Sequence, residues 1–561
     1  MQRLIECVPN FSEGRDQDVI RRITSVVETV DGVRLLDVDP GAATNRTVVT
    51  FVGAPEAVVE AAVRLARKCA ELIDMSRHAG EHPRFGGLDV CPLVPVVGVS
   101  MDETVEHARR LARRLGDEVG LTVYCYEKAA LRPERRNLAD VRSGEYEGLK
   151  DRLTRSAWEP DFGPARFQPR TGATAVGARE FLVAYNVNLN TTSTRRANAI
   201  AFDVREKGRV RRDGDPLTGE IVRDAAGEPV WQPGSLERVK AIGWFIEEYG
   251  IAQISMNLTD ISVTPIHVAF DEVCRKADAR GVRVTGSELV GMVPLAALLD
   301  AGRHYLRRQH RSLGVGDAEL IKIAVRSLGL DELTPFDPRK KIIEYAMADP
   351  SRRRLVDLAV QAFAEKTASE APAPGGGSVA AAVGALGAAL ATMVANLSSH
   401  KRGWDARWKE FSDHAEQGKA FQDELLGLVD HDTDAFNAVM AACGLPRGTP
   451  EETAARGAAI QAATLGAARV PLRVMEVAVA SMSVARAMAE SGLAASVSDA
   501  GVAALCARTA VLGAALNVRI NARGLADREA ADELTEAAAQ LVAEAREQEA
   551  AILAIVEGKL S

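Results

Sequence analysis

A short run of residues offers the first candidate chemistry: His78-Ala79-Gly80-Glu81-His82-Pro83-Arg84-Phe85-Gly86-Gly87. His78, Glu81 and His82 match the spacing of two zinc-ligating histidines and a glutamate in inverted zinc proteases. That chemistry needs both imidazoles on one helix face. Gly80 weakens a helix there, and Pro83 pushes the residue before it out of the helical region. The segment therefore reads as a loop between a helix and a strand, with no metal. Such a loop leaves two readings: a pair of solvent-exposed histidines, or a catalytic loop. In the second, an imidazole titrating near neutrality moves protons with Glu81 and Arg84 beside it.

Three further signals stand apart from that loop. Asp161-Phe162-Gly163-Pro164 and Gly172-Ala173-Thr174-Ala175-Val176-Gly177 carry glycines that permit close backbone approach to a flat ligand, although a structural turn explains them equally simply. Gly375-Gly376-Gly377-Ser378 opens an Ala-rich helix, whose free amides favour an anion. A flexible linker is the competing reading. Asp430-His431-Asp432-Thr433-Asp434 falls where one long helix is expected to end and another to begin. Asp430 and Asp434 share a face if helical, and a carboxyl in an apolar bundle can serve as an acid. An ordinary N-cap cluster would look the same. Asn517 and Asn521, one turn apart in an apolar helix, need partners in the core or on a ligand.

The elements that must position these residues divide the chain in three. Residues 1–180 alternate as strand, helix, strand, strand, helix, strand, which predicts a ferredoxin-like α+β sandwich. Residues 181–334 repeat that order, with strands over 181–189, 252–258, 261–265 and 282–287. Residues 208–234 interrupt the repeat and read as a surface hairpin. Residues 335–350 read as a linker. From 351 to 561 alanine dominates and strand patterns vanish, which predicts an all-helical bundle in which small side chains let helices approach closely.

The chain's 561 residues allow roughly three or four domains. Its net charge of −8 argues against a general nucleic-acid binder. Seven cysteines occur without a CxxC pair, which fits reduced thiols in the cytoplasm. The N-terminus lacks the basic and apolar pattern of a signal peptide. The most apolar stretch, 379–397, reads as a packed core helix rather than a membrane span.

Taken together, the motifs resemble the formimidoyltransferase-cyclodeaminase family over essentially the whole chain. The resemblance lies in CVPNFSEG (7–14), LLDVDPGAATNRTVVTFVG (35–53), DMSRHAGEHPRFGGLDVCPLVPV (74–96), PDFGP (160–164) and GATAVGAREFLVAYNVNL (172–189). It continues in IGWFIEEYGIAQISMNLTD (242–260), GSELVGMVPLAALL (286–299), PGGGSVAAAVGALGAALATMVANL (374–397), LVDHDTDAFNAVMAA (428–442) and SDAGVAALCARTAVLGAALNVRIN (498–521). It implies transfer of a formimidoyl group from N-formimidoyl-L-glutamate to tetrahydrofolate. Closure to 5,10-methenyltetrahydrofolate with release of ammonia would follow. By the same resemblance His82 is the transferase acid/base, Asp39 its orienting carboxylate, and Asp430 the deaminase acid. Asp161, Phe162, Gly163, Pro164, Gly172, Ala173, Thr174, Gly177 and Gly375–Ser378 would contact folate. The co-substrate it implies is tetrahydrofolate, with or without a polyglutamate tail, and the family assembles as a homo-oligomer.

Residues 211–232 lengthen one loop beyond its animal counterparts, and Lys401-Arg402-Gly403-Trp404 departs from the family pattern. Three other functions compete. The bundle could be a methenyltetrahydrofolate cyclohydrolase, the chain a non-enzymatic scaffold, or the histidine segment a zinc protease.

Overall fold

The computed structural model describes residues 3–41, 45–79, 84–214, 218–347 and 354–561. Its first strands come from alternating apolar residues. In β1 (Leu4–Cys7), Ile5 and Cys7 face one way and Glu6 the other. β1 and β2 (Asn10–Phe11) pair with the same two neighbours and act as one strand broken at Val8-Pro9. Asp16 caps α1 (Gln17–Thr24), and β3 (Val33–Gly41) and β4 (Arg46–Gly53) follow. Pro55 opens α2 (Pro55–Leu72), whose buried stripe runs from Val58 to Cys69. β5 (Leu88–Val97) is followed by α3 (Met101–Arg114), which starts with a Ser100/Glu103 capping box.

The strand–helix–strand–strand–helix–strand order expected from the sequence is therefore present. The spatial order is β3-β4-β1/β2-β5, antiparallel throughout. Two more strands extend the sheet. β6 (Thr122–Glu127) and β7 (Ala173–Ala178) continue it beyond β5 in the order β5-β7-β6, all parallel. Between them, α4 (Leu138–Val141) and α5 (Glu145–Arg152) cover part of the face opposite α1–α3, over Tyr124, Tyr126 and Ala175.

The second sheet is built from β8 (Val183–Leu189), α6 (Thr194–Val204), the small β9 (Arg209–Val210) and β10 (Trp231–Gln232) hairpin, β11 (Val239–Ile246), β12 (Ile251–Leu258), α7 (Ile266–Asp278) and β13 (Val284–Val290). Its order is β11-β12-β8-β13, antiparallel throughout. β9 and β10 confirm the hairpin reading of 208–234. The strand expected over 261–265 is a turn. Asp260 accepts from the amide and hydroxyl of Ser262, and the chain coils into α7 behind Pro265. β12 instead pairs with β8 on one side and on the other with β11, which a turn through Gly250 joins to it.

α8 (Leu295–Arg308), α9 (Asp317–Leu328), α10 (Pro338–Lys341) and α11 (Ile343–Met347) follow. The chain resolves into two compact units, 1–301 with 324–348, and 302–323 with 349–561. Residues 335–347 are thus not a free connector. Val293 bonds to the backbone of Lys341 and Ile343, and Ile342 and Ile343 are fully buried within the first unit.

The second unit is helical: α12 (Val360–Thr367), α13 (Gly376–Ser399), α14 (Trp408–Cys443), α15 (Pro450–Ser491), α16 (Val497–Arg523) and α17 (Arg528–Leu560). α13 packs between α14 and α16 on alanine surfaces such as Ala381, Ala388, Ala507 and Ala510. α13 and the stretch 494–523 are long and apolar enough to cross a membrane by length and composition. Here they pack against their neighbouring helices within the second unit. The helix break expected at 430–434 is absent, and α14 runs straight through it. α15 is likewise continuous, with Pro471 inside it.

Candidate functional site

In the first unit, residues 12–14, 45, 78–79, 84–87 and 171–173 come together around the histidine motif. His82, with Gly80, Glu81 and Pro83, lies outside the described residues, but both stems of its loop are defined. On the entering side, His78 Nε2 lies 2.8 Å from the Asn45 carbonyl, and Asn45 Nδ2 donates to Ala79 O at 3.0 Å. Asn45 Oδ1 accepts from Gly14 N, which ties in the Ser12-Glu13-Gly14 turn. On the leaving side, Ser12 Oγ donates to Gly86 O, and Ser12 N to Gly87 O. Arg84 pairs with Glu147, and its carbonyl accepts from Tyr146 N at the start of α5.

His78 is neither a zinc ligand on a helix nor a solvent-exposed loop residue. Its backbone is extended (φ −81°, ψ 136°), and the ring is half-buried. Burial pulls its pKa down, Arg84 adds to that, and the Asn45 bond opposes them. A neutral ring facing a carbonyl carries its proton on Nε2, so that nitrogen has no lone pair for a metal. The first histidine of the inverted zinc-protease spelling therefore lies outside a helix, and Glu81 and His82 lie outside the described residues. Asp39 is exposed on β3, across from Val48 on β4.

The segments expected to touch folate are mostly built into the protein. Asp161 accepts from Cys125 N at 2.8 Å and from Arg135 at 2.6 Å, with side chains 4% and 0% exposed. Phe162 bonds through its backbone to Val123, and Pro164 O accepts from Thr122 Oγ1. Asp161-Phe162-Gly163-Pro164 is thus a border along the edge strand β6, with its carboxylate spent on Arg135. Ala173 and Thr174 lie inside β7, and Thr174 Oγ1 donates to Leu88 O. Gly177 faces the Tyr126 ring.

Residues 171–173 also hold the stem that leaves the histidine segment. Gly86 bridges Gly172, Gly87 N donates to Thr171 O, and Ala173 N donates to Phe85 O. Gly172 has φ +64°, and a Cβ there would stand 2.5 Å from Phe85 O. Both the turn and the close approach demand glycine.

In the second unit, the glycine motif meets the acidic cluster, but through a different aspartate from the one expected. Ser378 Oγ donates to Asp432 Oδ2 at 2.9 Å, and Thr433 Oγ1 is 3.3 Å away. A Cβ on Gly377 would collide with the Asp432 carboxyl. Asn517 packs beside Gly376. The anion favoured by the amides at the start of α13 is therefore the protein's own carboxylate. Asp430 lies two residues away, about 200° around the helix. It accepts from Leu355 N at 2.7 Å, and its Oδ2 is buried without a partner. Asp430 anchors the entry segment rather than α13. Burial raises the Asp432 pKa, opposed by its bonds to Ser378, so burial outweighs the favourable helix terminus.

The comparisons with known proteins agree with this division. Residues 4–179 match the family model described as the formiminotransferase domain, N-terminal subdomain. Residues 184–348 match the formiminotransferase domain, and 359–540 match formiminotransferase-cyclodeaminase. The chain is 42% identical over 560 residues, all of both chains, to a formimidoyltransferase-cyclodeaminase of Rattus norvegicus. The chain belongs to the formimidoyltransferase-cyclodeaminase family. It is a bifunctional enzyme with a transferase and a cyclodeaminase part. A glutamate formimidoyltransferase of Streptococcus pyogenes serotype M1 is 39% identical over 55% of this chain and 94% of its own length. A methenyltetrahydrofolate cyclohydrolase of Methylorubrum extorquens is 41% identical over 36% of this chain and 97% of its own length.

Sequence reasoning did not single out Asp432, which bonds to Ser378, or Asn45, which bonds to His78 and Ala79. Asp432 was visible as the cluster residue out of phase with Asp430 and Asp434. Nothing local marks Asn45, whose φ of +49° appears only in the fold.

Proposed function

We propose that the two units catalyse successive steps of one folate conversion. In the first, N5 of tetrahydrofolate attacks the amidine carbon of N-formimidoyl-L-glutamate. The tetrahedral carbon collapses, glutamate leaves through its amine, and N5 keeps the formimidoyl group. His82 takes the proton from N5 and delivers it to the departing amine, with Asp39 orienting the ring. In the second, N10 attacks the same carbon, and the imino nitrogen leaves as ammonia once protonated, giving 5,10-methenyltetrahydrofolate. Asp432 supplies that proton, and Ser378 orients its carboxyl.

The observation that carries the second step is the half-buried Asp432 carboxyl on Ser378 at the start of α13, since burial favours the protonated acid. On this reading neither step uses a metal. Gly172 and Ala173 act by fixing the segment that leaves the histidine motif, and residues 161–164 by bordering β6, rather than by touching the pterin. The strand orders of the two sheets support reading both halves of the transferase as ferredoxin-like sandwiches. Exposed apolar side chains on α13 and α16 (Leu386, Leu397, Leu516, Ile520) support self-association. Free cysteines support a cytoplasmic location. Folates with polyglutamate tails are accommodated on the same reading.

The test supplies N-formimidoyl-L-glutamate with tetrahydrofolate and follows methenyl absorbance and ammonia together. His82→Ala should abolish transfer while leaving conversion of 5-formimidoyltetrahydrofolate intact. Normal transfer by that variant would remove His82 from the mechanism. The 41% identity of the helical part to a methenyltetrahydrofolate cyclohydrolase favours a second reading for that unit. Turnover of 5-formimidoyl- against 5,10-methenyltetrahydrofolate, each supplied alone, decides between them.

A further inference from the structure

Asp89 opens β5 directly behind the histidine loop and is fully buried. Its Oδ1 accepts from Phe85 N at 2.9 Å. Its Oδ2 carries two guanidinium groups, from Arg46 and, at 2.8 Å, from Arg142. Arg46 is held further by Asn10 Oδ1. Arg142 is held less completely. Asp89 is its one ion-pair partner among the described residues, and its Nε is buried without a partner. Its side chain as a whole is 17% exposed.

The position of this cluster bears on the reaction. Arg46 follows Asn45, which grips His78 and Ala79. Arg142 ends α4, just before the helix whose start holds Arg84. The two arginines thus flank the base of the loop that contains His82. A cation with an unfilled donor in a low-dielectric site calls for an anion, and a planar guanidinium fits a carboxylate best.

We infer that Arg142, braced by Asp89 and Arg46, is a carboxylate-binding subsite for the glutamate portion of the transferase substrates. This rests on the transferase reading above. Two glutamates could occupy it: that of the formimidoyl donor and that at the end of the folate tail. The donor is favoured by size. Its carboxylates lie a few bonds from the reacting amidine, whereas the aminobenzoyl group separates N5 from the folate glutamate.

The experiment measures steady-state transfer by the full chain with Arg142→Gln and Arg142→Lys. It varies N-formimidoyl-L-glutamate, then tetrahydrofolate carrying one or several glutamates. Losing a charge-assisted bond should raise the KM for the occupant about 10- to 100-fold, with a smaller effect on kcat. Lysine should recover part of the loss, and inhibition by glutarate should weaken in parallel. A KM rise confined to the donor assigns the subsite to the donor glutamate, and one confined to folate assigns it to the tail. Both support a carboxylate site. Unchanged KM values for both substrates and unchanged glutarate inhibition would overturn it, as would a fall in kcat alone. Should Arg142→Gln fail to fold, Arg142→Lys and the glutarate inhibition constant of the unmodified enzyme carry the test. Absence of transfer by the unmodified enzyme would instead refute the transferase reading. Thermal melting of each variant reports that the transferase unit is folded, and conversion of 5-formimidoyltetrahydrofolate reports that the other unit is intact.

Discussion

Replacing Asp432 with asparagine isolates its proton from its shape. The amide keeps an oxygen that can accept from Ser378 Oγ, now 2.9 Å from Oδ2, so the junction with α13 should persist. What disappears is the transferable proton. A positioned general acid contributes about 10²–10⁴ in rate, or roughly 3–5 kcal/mol of barrier. Asp432→Asn should therefore lose that factor in turnover of 5-formimidoyltetrahydrofolate, read as methenyl absorbance and ammonia, while transfer continues. Asp430→Asn is the control. Its amide oxygen still accepts from Leu355 N, so stability should fall by about 1 kcal/mol and turnover should stay within about threefold. The pH dependence supplies a second readout. Burial raises the Asp432 pKa, so its protonated form persists above the ordinary carboxylate range. Deamination should then decline as pH rises through that raised value, and the asparagine variant should lack that limb. A larger loss in Asp430→Asn, or an unchanged limb in Asp432→Asn, would refute the assignment.

Two further outcomes follow from buried charges in the transferase unit. Burial pushes the Glu6 carboxyl up to about 7 against the lowering effect of Arg179. The folded unit then binds a proton that the unfolded chain releases near 4.5, so stability falls as pH rises from there to about 7. Full ionisation costs roughly 3 kcal/mol. Glu6→Gln should gain melting temperature over the unmodified enzyme steadily across that window, and a pH-independent difference would contradict it. Asp161→Asn leaves the fully buried Arg135 without its counter-ion and should destabilise the same unit by about 3–5 kcal/mol. Tetrahydrofolate affinity of the folded fraction should be unaffected, whereas a selective rise in its Kd would return Asp161 to the folate site.

Much of the fold was legible because its periods are strong. The β1-α1-β3-β4-α2-β5 order and its repeat follow from alternation in strands such as Leu4–Cys7 and from amphipathic stripes such as Val58–Cys69. The errors fall where local signals compete with tertiary ones. β11 alternates buried and exposed residues, yet its outer face carries Ile242 and Trp244, which blurs the period. Ile261–Pro265 is β-rich in composition but is coiled by the Asp260 turn. The helix break expected at 430–434 fails because Asp and Thr cost only tenths of a kcal/mol inside a helix, less than the packing of α14 against α13 and α15 returns. β6 and β7 are separated by 45 residues, so no short-range pattern announces that they are neighbours.

The candidate sites expose a sharper limit. A sequence names the acidic cluster and even its phase, since residues four apart share a face. It does not say which face meets the partner helix. Asp430 and Asp432 have equal claims by type and nearly equal ones by position. The start of α13 selects between them because Gly377 has no side chain and the Asp432 carboxyl occupies that space. The histidine loop follows the same logic. Gly172 looks like a ligand-facing glycine, yet its neighbour is the backbone of Phe85. Gly172 and Gly377 thus make room for protein rather than for substrate. Their role is to fix an acid or a base, and the groups that touch substrate should be sought among the partly exposed side chains those glycines bring into register.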